Sequence, residues 1–217
     1  HGWTDSVLFN IESGCYAKTI DLTLETEPEI FKAVNRFGSI LENVVVRNGE
    51  PDFFNTSITK NGRASYPISH LEKYVKEGRV FEDPVNIVML TCDAFGVLPP
   101  VSKLTSEEAR QMFLVGYTSK VAGTEVGVEE PIATFSACFG APFLPRPPEV
   151  YGNLLKSFLD KKNINCWLVN TGWTGGSYGV GERIQLSDTR AIVSAINNGL
   201  LSDVSFSLHK HTGFTVP

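Results

Sequence analysis

Short apolar runs of strand length recur along the chain and predict a β-sheet. Residues 86–91 (NIVMLT) and 166–169 (CWLV) are almost wholly apolar. Continuous apolar segments of this length are typical of strands that are covered on both faces. Residues 7–11 are mostly apolar, and residues 16–24 alternate with a period of two, so that one face of the segment is more apolar than the other. This pattern predicts two further strands, joined by a hairpin turn at residues 12–14.

Helical patterns occur between and after these runs. Thr26 and Pro28 predict the N-cap and first turn of one helix. The capping pattern at residues 105–108 (TSEE) opens a second helix. Apolar positions at helical spacing predict two more, at residues 148–161 and 188–198. The mixture predicts a mixed α/β fold, with a central, largely apolar sheet and flanking helices.

Composition narrows the class of protein. The chain has 217 residues, 42% of them hydrophobic, so we expect residues 1–217 to form a single domain or partial domain. The net charge of −5 argues against nucleic acid or an anionic membrane as a main partner. The longest uncharged run, residues 131–145, contains Pro, Ser, Thr and Gly and predicts no membrane span. The four cysteines form no C-x-x-C pair, so free thiols in a reducing compartment are expected.

A glycine-rich stretch follows the apolar run at residues 166–169. A strand, a glycine loop and a helix start bring backbone N–H groups together, which favours an anion; a flexible surface turn is the alternative. The stretch is no Walker A loop, because Glu182 and Arg183 follow the last glycine in place of Lys and Ser or Thr. Its five glycines are Gly172, Gly175, Gly176, Gly179 and Gly181.

One arginine is a candidate for anion binding. Arg63 follows an Asn-Gly turn and is followed closely by Pro67. A planar guanidinium suits a phosphate or a carboxylate, so a positioned loop would aim Arg63 at such a group. A solvated surface arginine is the alternative.

Cysteine and histidine offer weaker candidates. Residues 136–140 (SACFG) are close to a nucleophile elbow but lack its first glycine. Cys138 would then be the nucleophile and His70, His209 or His211 the base, whereas a buried structural cysteine is the favoured interpretation. The four histidines and scattered cysteines form no metal-ligand set, so no metal ligand is predicted within the chain.

Seven strings, in order along the chain, resemble the ATP-dependent phosphoenolpyruvate carboxykinases. Each string alone is a weak signal, whereas seven in family order are specific. They are residues 1–3 (HGW), 12–18 (ESGCYAK), 41–44 (LENV), 63–68 (RASYPI), 93–100 (DAFGVLPP), 134–141 (TFSACFGA) and 170–173 (NTGW).

The resemblance implies a cytoplasmic enzyme of gluconeogenesis. Such enzymes convert oxaloacetate and ATP into phosphoenolpyruvate, carbon dioxide and ADP, with Mg²⁺ and Mn²⁺ as metal ions. In the family, the Walker A loop and the metal ligands precede the HGW string. We therefore expect this chain to be the C-terminal, nucleotide-side portion, inactive alone, with the upstream part of the same enzyme as its partner.

The resemblance also assigns roles to five residues. Glu27 matches a glutamate at the nucleotide, where it would accept hydrogen bonds from ribose hydroxyls. Arg63 matches the catalytic arginine that reaches the γ-phosphate of ATP and the substrate carboxylate. Arg183, Ile184 and Thr189 match positions that line the adenosine end. The family geometry implies that Arg63 and the glycine-rich stretch, as a wall at residues 172–189, face one cleft.

Two other functions stay open at this stage. The first is a non-catalytic nucleotide-binding or interaction module derived from the same family. The second is a cysteine hydrolase built on Cys138, which predicts a thiol that reacts quickly with alkylating reagents.

Overall fold

The computed structural model describes residues 2–4, 6–121, 128 and 130–217, which fall into two units. The described residues up to Glu82 belong to the first unit, and those from Asp83 to Pro217 form the second. Both units combine helices with sheets, so the predicted mixed α/β class is confirmed.

Short antiparallel sheets build the first unit. Its strands pair in the orders β1-β2-β8 and β3-β7-β4, with a separate β5–β6 pair. The elements described there are β1 (Gly2–Trp3), β2 (Leu8–Phe9), β3 (Gly14–Lys18), α1 (Pro28–Val34), β4 (Ile40–Glu42), β5 (Val45–Arg47), β6 (Glu50–Asp52), β7 (Arg63–Pro67) and β8 (Arg79–Val80).

Strand β7 is the centre of the sheet that carries Arg63. Successive side chains of a strand point to opposite faces, so the strand has one inner and one outer set. Ala64 and Tyr66 are buried in a core with Ala33 of α1 and Leu22. The sheet therefore presents Arg63 on the face away from this core.

A five-stranded mixed sheet forms the second unit. Its order is β16-β17-β10-β13-β9, in which β13 and β9 run parallel and the other neighbours antiparallel. Two smaller pairs, β11–β12 and β14–β15, lie outside it. The elements are β9 (Asn86–Thr91), β10 (Val101–Leu104), α2 (Ser106–Val115), β11 (Tyr117–Lys120), β12 (Ile132–Phe135), α3 (Pro148–Lys161), β13 (Asn165–Asn170), β14 (Trp173–Thr174), β15 (Glu182–Arg183), α4 (Leu186–Asn197), β16 (Ser207–Leu208) and β17 (Thr215–Val216).

The apolar strand β13 is buried on both faces, as its sequence predicts. Cys166 and Leu168 pack into one core, which includes residues of α2 and α3. Trp167 and Val169 pack into a second core with Ile196 of α4. Helices thus flank this sheet on both sides.

The predicted hairpin at residues 12–14 is wrong. Strand β2 pairs with β1 and β8, whereas β3 pairs with β7, so the two strands belong to different sheets. The backbone N–H of Ile68 donates to the Ser13 carbonyl at 2.9 Å, so the turn segment bonds to a distant part of the chain. A long-range partner therefore replaces the local pairing that the sequence pattern favoured.

The ends of the helices test the capping predictions. Thr105 and Glu108 form the predicted capping box, and α3 covers the predicted residues. The first helix starts at Pro28, but Glu27 is the N-cap and not Thr26, whose hydroxyl contacts that of Thr23 at 3.1 Å. Within the described residues, no helix has the length and apolar character that crossing a membrane requires.

Ser102 provides a test of the packing of the central sheet. Its hydroxyl is fully buried and has no hydrogen-bond partner among the described residues. Because a buried hydroxyl without a partner destabilises the folded state, we expect Ser102→Ala to raise the free energy of unfolding by about 1 kcal/mol, measured by urea denaturation.

The matched control is Ser119→Ala in the same unit. The Ser119 hydroxyl donates to the Cys92 carbonyl at 2.6 Å, so its removal should lower the free energy of unfolding. Equal losses for the two variants would contradict the description of Ser102.

Candidate functional site

Arg63 lies at the start of β7, between two neighbouring strands. Lys18 of β3 is its partner on one side, and Glu42 of β4 is its partner on the other. The three side chains therefore share the outer face of the sheet. Arg63 itself is half-buried, so its charged group is neither free in solvent nor enclosed in the core.

Two contacts orient the Arg63 side chain. Its Nε donates to Asn61 Oδ1 at 3.0 Å, and its Cζ lies 5.1 Å from the centre of the Tyr16 ring. The Tyr16 hydroxyl in turn bonds to the carboxylate of Glu42. Among the described residues, no hydrogen bond or ion pair engages the two terminal nitrogens of Arg63, which leaves its planar fork for an anion.

Glu27 lies at the N-cap of α1 and is half-buried. Burial raises the pKa of the Tyr66 hydroxyl to about 12, and the charges of Cys15 and Glu27 add to that shift. Helix α1, which begins after Glu27, packs its Ala33 against Tyr66, and Tyr66 belongs to the same strand as Arg63. The structure thus brings Glu27 and Arg63 into one unit, around β7.

In the second unit, a buried aspartate organises the loop at the end of β9. Asp93 follows β9 and is 1% exposed. Its carboxylate accepts hydrogen bonds from the backbone N–H groups of Phe95, Val97 and Leu98 at 2.6–2.9 Å. It also accepts one from the Tyr117 hydroxyl at 2.8 Å. These four donors compensate a buried negative charge and fix the loop that leaves β9.

The side chain of Asn170 links this loop to the end of β13. Its Oδ1 accepts from the N–H groups of Asp93 at 3.0 Å and Gly172 at 2.8 Å. Its Nδ2 donates to the carbonyls of Leu98 at 3.1 Å and Trp173 at 2.9 Å. Because Asn170 is fully buried, all these bonds form away from water, and they hold the two strand ends together. We call Asp93, Asn170 and these partners the strand-end network.

The three residues predicted for the adenosine end lie on the segment that follows the strand-end network in the sequence. Arg183 pairs with Trp173 across β14–β15, and its Cζ lies 5.5 Å from that ring. The Ile184 N–H donates to the Gly172 carbonyl at 2.8 Å. Thr189 lies in the first turn of α4 and is half-buried, and its N–H donates to the Gln185 carbonyl. The structure thus places these three residues on a short stretch that starts at the network.

The glycines of this stretch have packing reasons of their own. A Cβ on Gly172 would lie 2.3 Å from backbone atoms of Asp93. A Cβ on Gly181 would lie 2.3 Å from the Gly176 carbonyl, and Gly176 itself has φ +134°. Close approach of backbones therefore explains part of the glycine content, and the role of the loop toward an anion stays a prediction.

The five predicted site residues divide between the units. Glu27 and Arg63 belong to the first, and Arg183, Ile184 and Thr189 belong to the second. The common cleft between Arg63 and the wall at residues 172–189 stays a prediction. Sequence reasoning assigned no role to four residues that the structure singles out: Tyr16, Asn61, Asp93 and Asn170. The available signal was a polar residue at the end of an apolar strand: Asn170 is the last residue of β13, and Asp93 comes two residues after the end of β9.

The geometry of Cys138 disfavours the hydrolase hypothesis. Its side chain is buried, and its Sγ lies 3.6 Å from the Pro148 carbonyl. Burial raises the pKa of the thiol, and Glu149 adds to the shift, so little thiolate forms at neutral pH. A buried structural cysteine fits these observations better than a nucleophile.

Clustered metal ligands or disulfides would each change the chemistry of the site. No group of three or more His, Cys, Asp or Glu side chains suitable for a metal ion occurs in the described part of the chain. All four cysteines are free, and three of them are buried.

Comparisons with known proteins identify the family. A family model described as phosphoenolpyruvate carboxykinase matches residues 1–217. The enzyme named phosphoenolpyruvate carboxykinase (ATP) from Brucella anthropi is 54% identical over 218 residues, which cover 100% of this chain and 40% of the relative. The proteins of that name from Pelobacter propionicus and Rhizobium etli are 54% and 53% identical, and the chain covers 41% and 40% of them. The chain belongs to the phosphoenolpyruvate carboxykinase family, and it spans about 40% of the length of these relatives.

Replacement of the buried aspartate tests the strand-end network. Asp93→Asn keeps the shape of the side chain but turns one acceptor oxygen into an N–H donor that faces other donors. We expect the free energy of unfolding to fall by about 2–3 kcal/mol, measured by urea denaturation.

The control is Asp203→Asn, an exposed aspartate of the same unit. It should change the free energy of unfolding by less than about 0.5 kcal/mol. An Asp93→Asn variant as stable as this control would show that the network does not hold the strand ends.

Proposed function

We propose that the chain is the nucleotide-side portion of an ATP-dependent phosphoenolpyruvate carboxykinase, which decarboxylates oxaloacetate and phosphorylates the enolate. The observation that carries the proposal is the family match over residues 1–217, with 54% identity to an enzyme of that name. Because the chain spans 40% of that relative, the remainder of a longer polypeptide is its proposed partner.

The reaction requires positive charge at a defined place. Loss of carbon dioxide from oxaloacetate leaves the electron pair of the broken C–C bond on an enolate. The enolate oxygen attacks the γ-phosphorus of ATP, the bond to the bridging oxygen breaks, and ADP leaves. Negative charge is spread over the oxygens of the transferred group during this step, and fixed cations stabilise it.

Arg63 is the proposed catalytic cation of this chain. Its terminal nitrogens lack a partner among the described residues, and its Nε and ring contacts hold the guanidinium plane. A fork of this kind binds two oxygens at once, so it suits both the γ-phosphate and the substrate carboxylate. Arg63 would therefore orient the substrate and stabilise the transferred phosphoryl group.

The nucleotide is the second proposed ligand. Glu27 would accept hydrogen bonds from the ribose hydroxyls of ATP. Arg183, Ile184 and Thr189 would line the adenosine end, held in place by the strand-end network. Ile184 offers apolar contact, and Thr189 and Arg183 offer hydrogen bonds to a base, which is the usual composition of a small-molecule site.

Mg²⁺ and Mn²⁺ are the proposed metal ions of the whole enzyme. The described residues contain no group of three or more potential ligands, and the metal ligands are proposed to lie in the remainder of the enzyme. Gluconeogenesis and a cytoplasmic location are proposed from the family. A single domain or partial domain over residues 1–217 remains part of the same proposal.

A non-catalytic module derived from the family is the second candidate. It is favoured by the absence of a Walker A pattern from this sequence, since a nucleotide wall without that loop would bind but not transfer phosphate. The sequence of the remainder of the polypeptide would distinguish the enzyme from the non-catalytic module. A Walker A lysine and a metal aspartate there would support the enzyme, and their absence would support the module.

The isolated chain is the first test. In a coupled assay with oxaloacetate, ATP, Mg²⁺ and Mn²⁺, we expect no formation of phosphoenolpyruvate by residues 1–217, because no Walker A pattern is present. The full-length protein, assayed beside it, should turn over. Metal- and ATP-dependent turnover by the isolated chain would contradict the proposal that it supplies only part of the active site.

Arg63→Ala in the full-length protein is the second test. We expect kcat/KM for oxaloacetate to fall by about 10²–10³-fold, because one preorganised charge at the transferred group is lost. Arg63→Lys should recover part of the loss, since it restores the charge but not the planar fork.

Arg47→Ala provides the control for a lost surface arginine. Arg47 is exposed and only approaches Asp52, at 4.0 Å. This variant should keep the rate within about twofold, because exposed ion pairs contribute little. An unchanged rate for Arg63→Ala would reject the role given to Arg63.

A further inference from the structure

The outer face of the β3-β7-β4 sheet is built around Arg63. Lys18 and Glu42 lie directly opposite Arg63 on the two neighbouring strands. Two residues further along β7, on the same face, Tyr16 of β3 and Ile40 of β4 lie opposite Ser65. Tyr16 is therefore the diagonal neighbour of Arg63, at a distance that an aromatic side chain can span.

The Tyr16 side chain crosses the central strand. Its backbone belongs to β3, yet its hydroxyl bonds to the carboxylate of Glu42 on β4. The phenol ring consequently lies over β7, where the Arg63 Cζ approaches the ring centre to 5.1 Å. Tyr16 remains 56% exposed, so core packing does not account for this orientation.

Each contact restricts a different freedom of the guanidinium. Asn61 accepts from Nε, which sets the rotation of the guanidinium plane. The ring of Tyr16 attracts the cation through its negative face and limits movement along the sheet. The bond from the hydroxyl to Glu42 holds the ring itself. The terminal nitrogens of Arg63 are left for a ligand.

We propose that Tyr16 is a positioning residue for Arg63: anchored by Glu42, its ring and the Asn61 carboxamide together hold the guanidinium so that both terminal nitrogens face an anionic substrate. This inference rests on the proposed function of Arg63. The ligand class is a small molecule with a carboxylate or a phosphoryl group, for which planar two-point binding requires a fixed plane.

Preorganisation gives the contact its catalytic value. A long, flexible arginine that must be ordered during each turnover loses part of its stabilising effect on the transition state. A guanidinium held in advance does not, because its conformational entropy is already lost in the folded protein. Misplacement of the charge would then lower the rate more than it weakens binding of the nucleotide.

The test uses the full-length protein and two substitutions of the ring. Tyr16→Leu removes the aromatic face, and we expect kcat to fall at least about tenfold, because a displaced catalytic group loses rate steeply. Tyr16→Phe keeps the ring but loses the bond to Glu42, so a smaller fall is expected. KM for ATP should change less than kcat, since Glu27, Arg183, Ile184 and Thr189, which are proposed to hold the nucleoside, are unchanged.

A double-mutant cycle separates positioning from structural support. Dissociation constants for phosphoenolpyruvate, measured by calorimetry, need no turnover and can be compared for Tyr16→Leu, Arg63→Ala and the double variant. If Tyr16 acts through Arg63, Tyr16→Leu weakens binding in the native protein and has no further effect in the Arg63→Ala protein. Tyr74→Leu, a tyrosine of the same unit outside this sheet, should leave binding unchanged.

The outcomes distinguish the two levels of the proposal. If Arg63→Ala keeps native activity and binding, the proposed function of Arg63 fails. If Arg63→Ala is impaired while Tyr16→Leu matches the native protein, only the positioning role fails. If Tyr16→Leu weakens phosphoenolpyruvate binding equally with and without Arg63, or weakens ATP binding as much as it lowers kcat, the positioning role also fails and Tyr16 supports the fold.

Discussion

The hydrogen-bond network around Asp93 and Asn170 is the constraint on which the second unit depends. Parallel strands β9 and β13 end side by side, and only two backbone bonds, from Thr171 to Thr91 and from Trp173 to Asp93, join the described segments just past their ends. An ionised carboxylate is costly in such a dry place unless donors surround it. Three backbone N–H groups and one hydroxyl surround Asp93, and Asn170 joins its backbone to the next segment. The segment at residues 172–189 starts from this fixed point.

The carboxyl ends of parallel strands are where open α/β sheets bind ligands. Loops at this edge normally carry function and are mobile, so their position needs separate support. Here the support is polar and buried, because Asp93 and Asn170 are 1% and 0% exposed. Charge compensation of this kind also specifies one arrangement, since any other would leave the carboxylate without donors.

How much the sequence could predict depended on whether the information was local. Strand β13 and helix α3 were predicted because their apolar spacing and length are set within the segment. The hairpin at residues 12–14 was not, since β3 finds its partner in β7, about fifty residues further on. Arg63 was singled out by its turn and by resemblance, but its neighbours Tyr16 and Glu42 meet it only through sheet register.

The two units hold a charged group in place by different means. In the first unit, a half-buried guanidinium is held by a ring and a carboxamide at the surface of a small sheet. In the second, a buried anion orders backbone amides, and a glycine at position 172 lets the next segment approach it closely. A half-buried cation that is to bind a ligand needs contacts that leave its terminal donors free, whereas a fully buried carboxylate needs donors for both of its oxygens. These opposite requirements explain why an aromatic face lies against Arg63 and why backbone N–H groups surround Asp93.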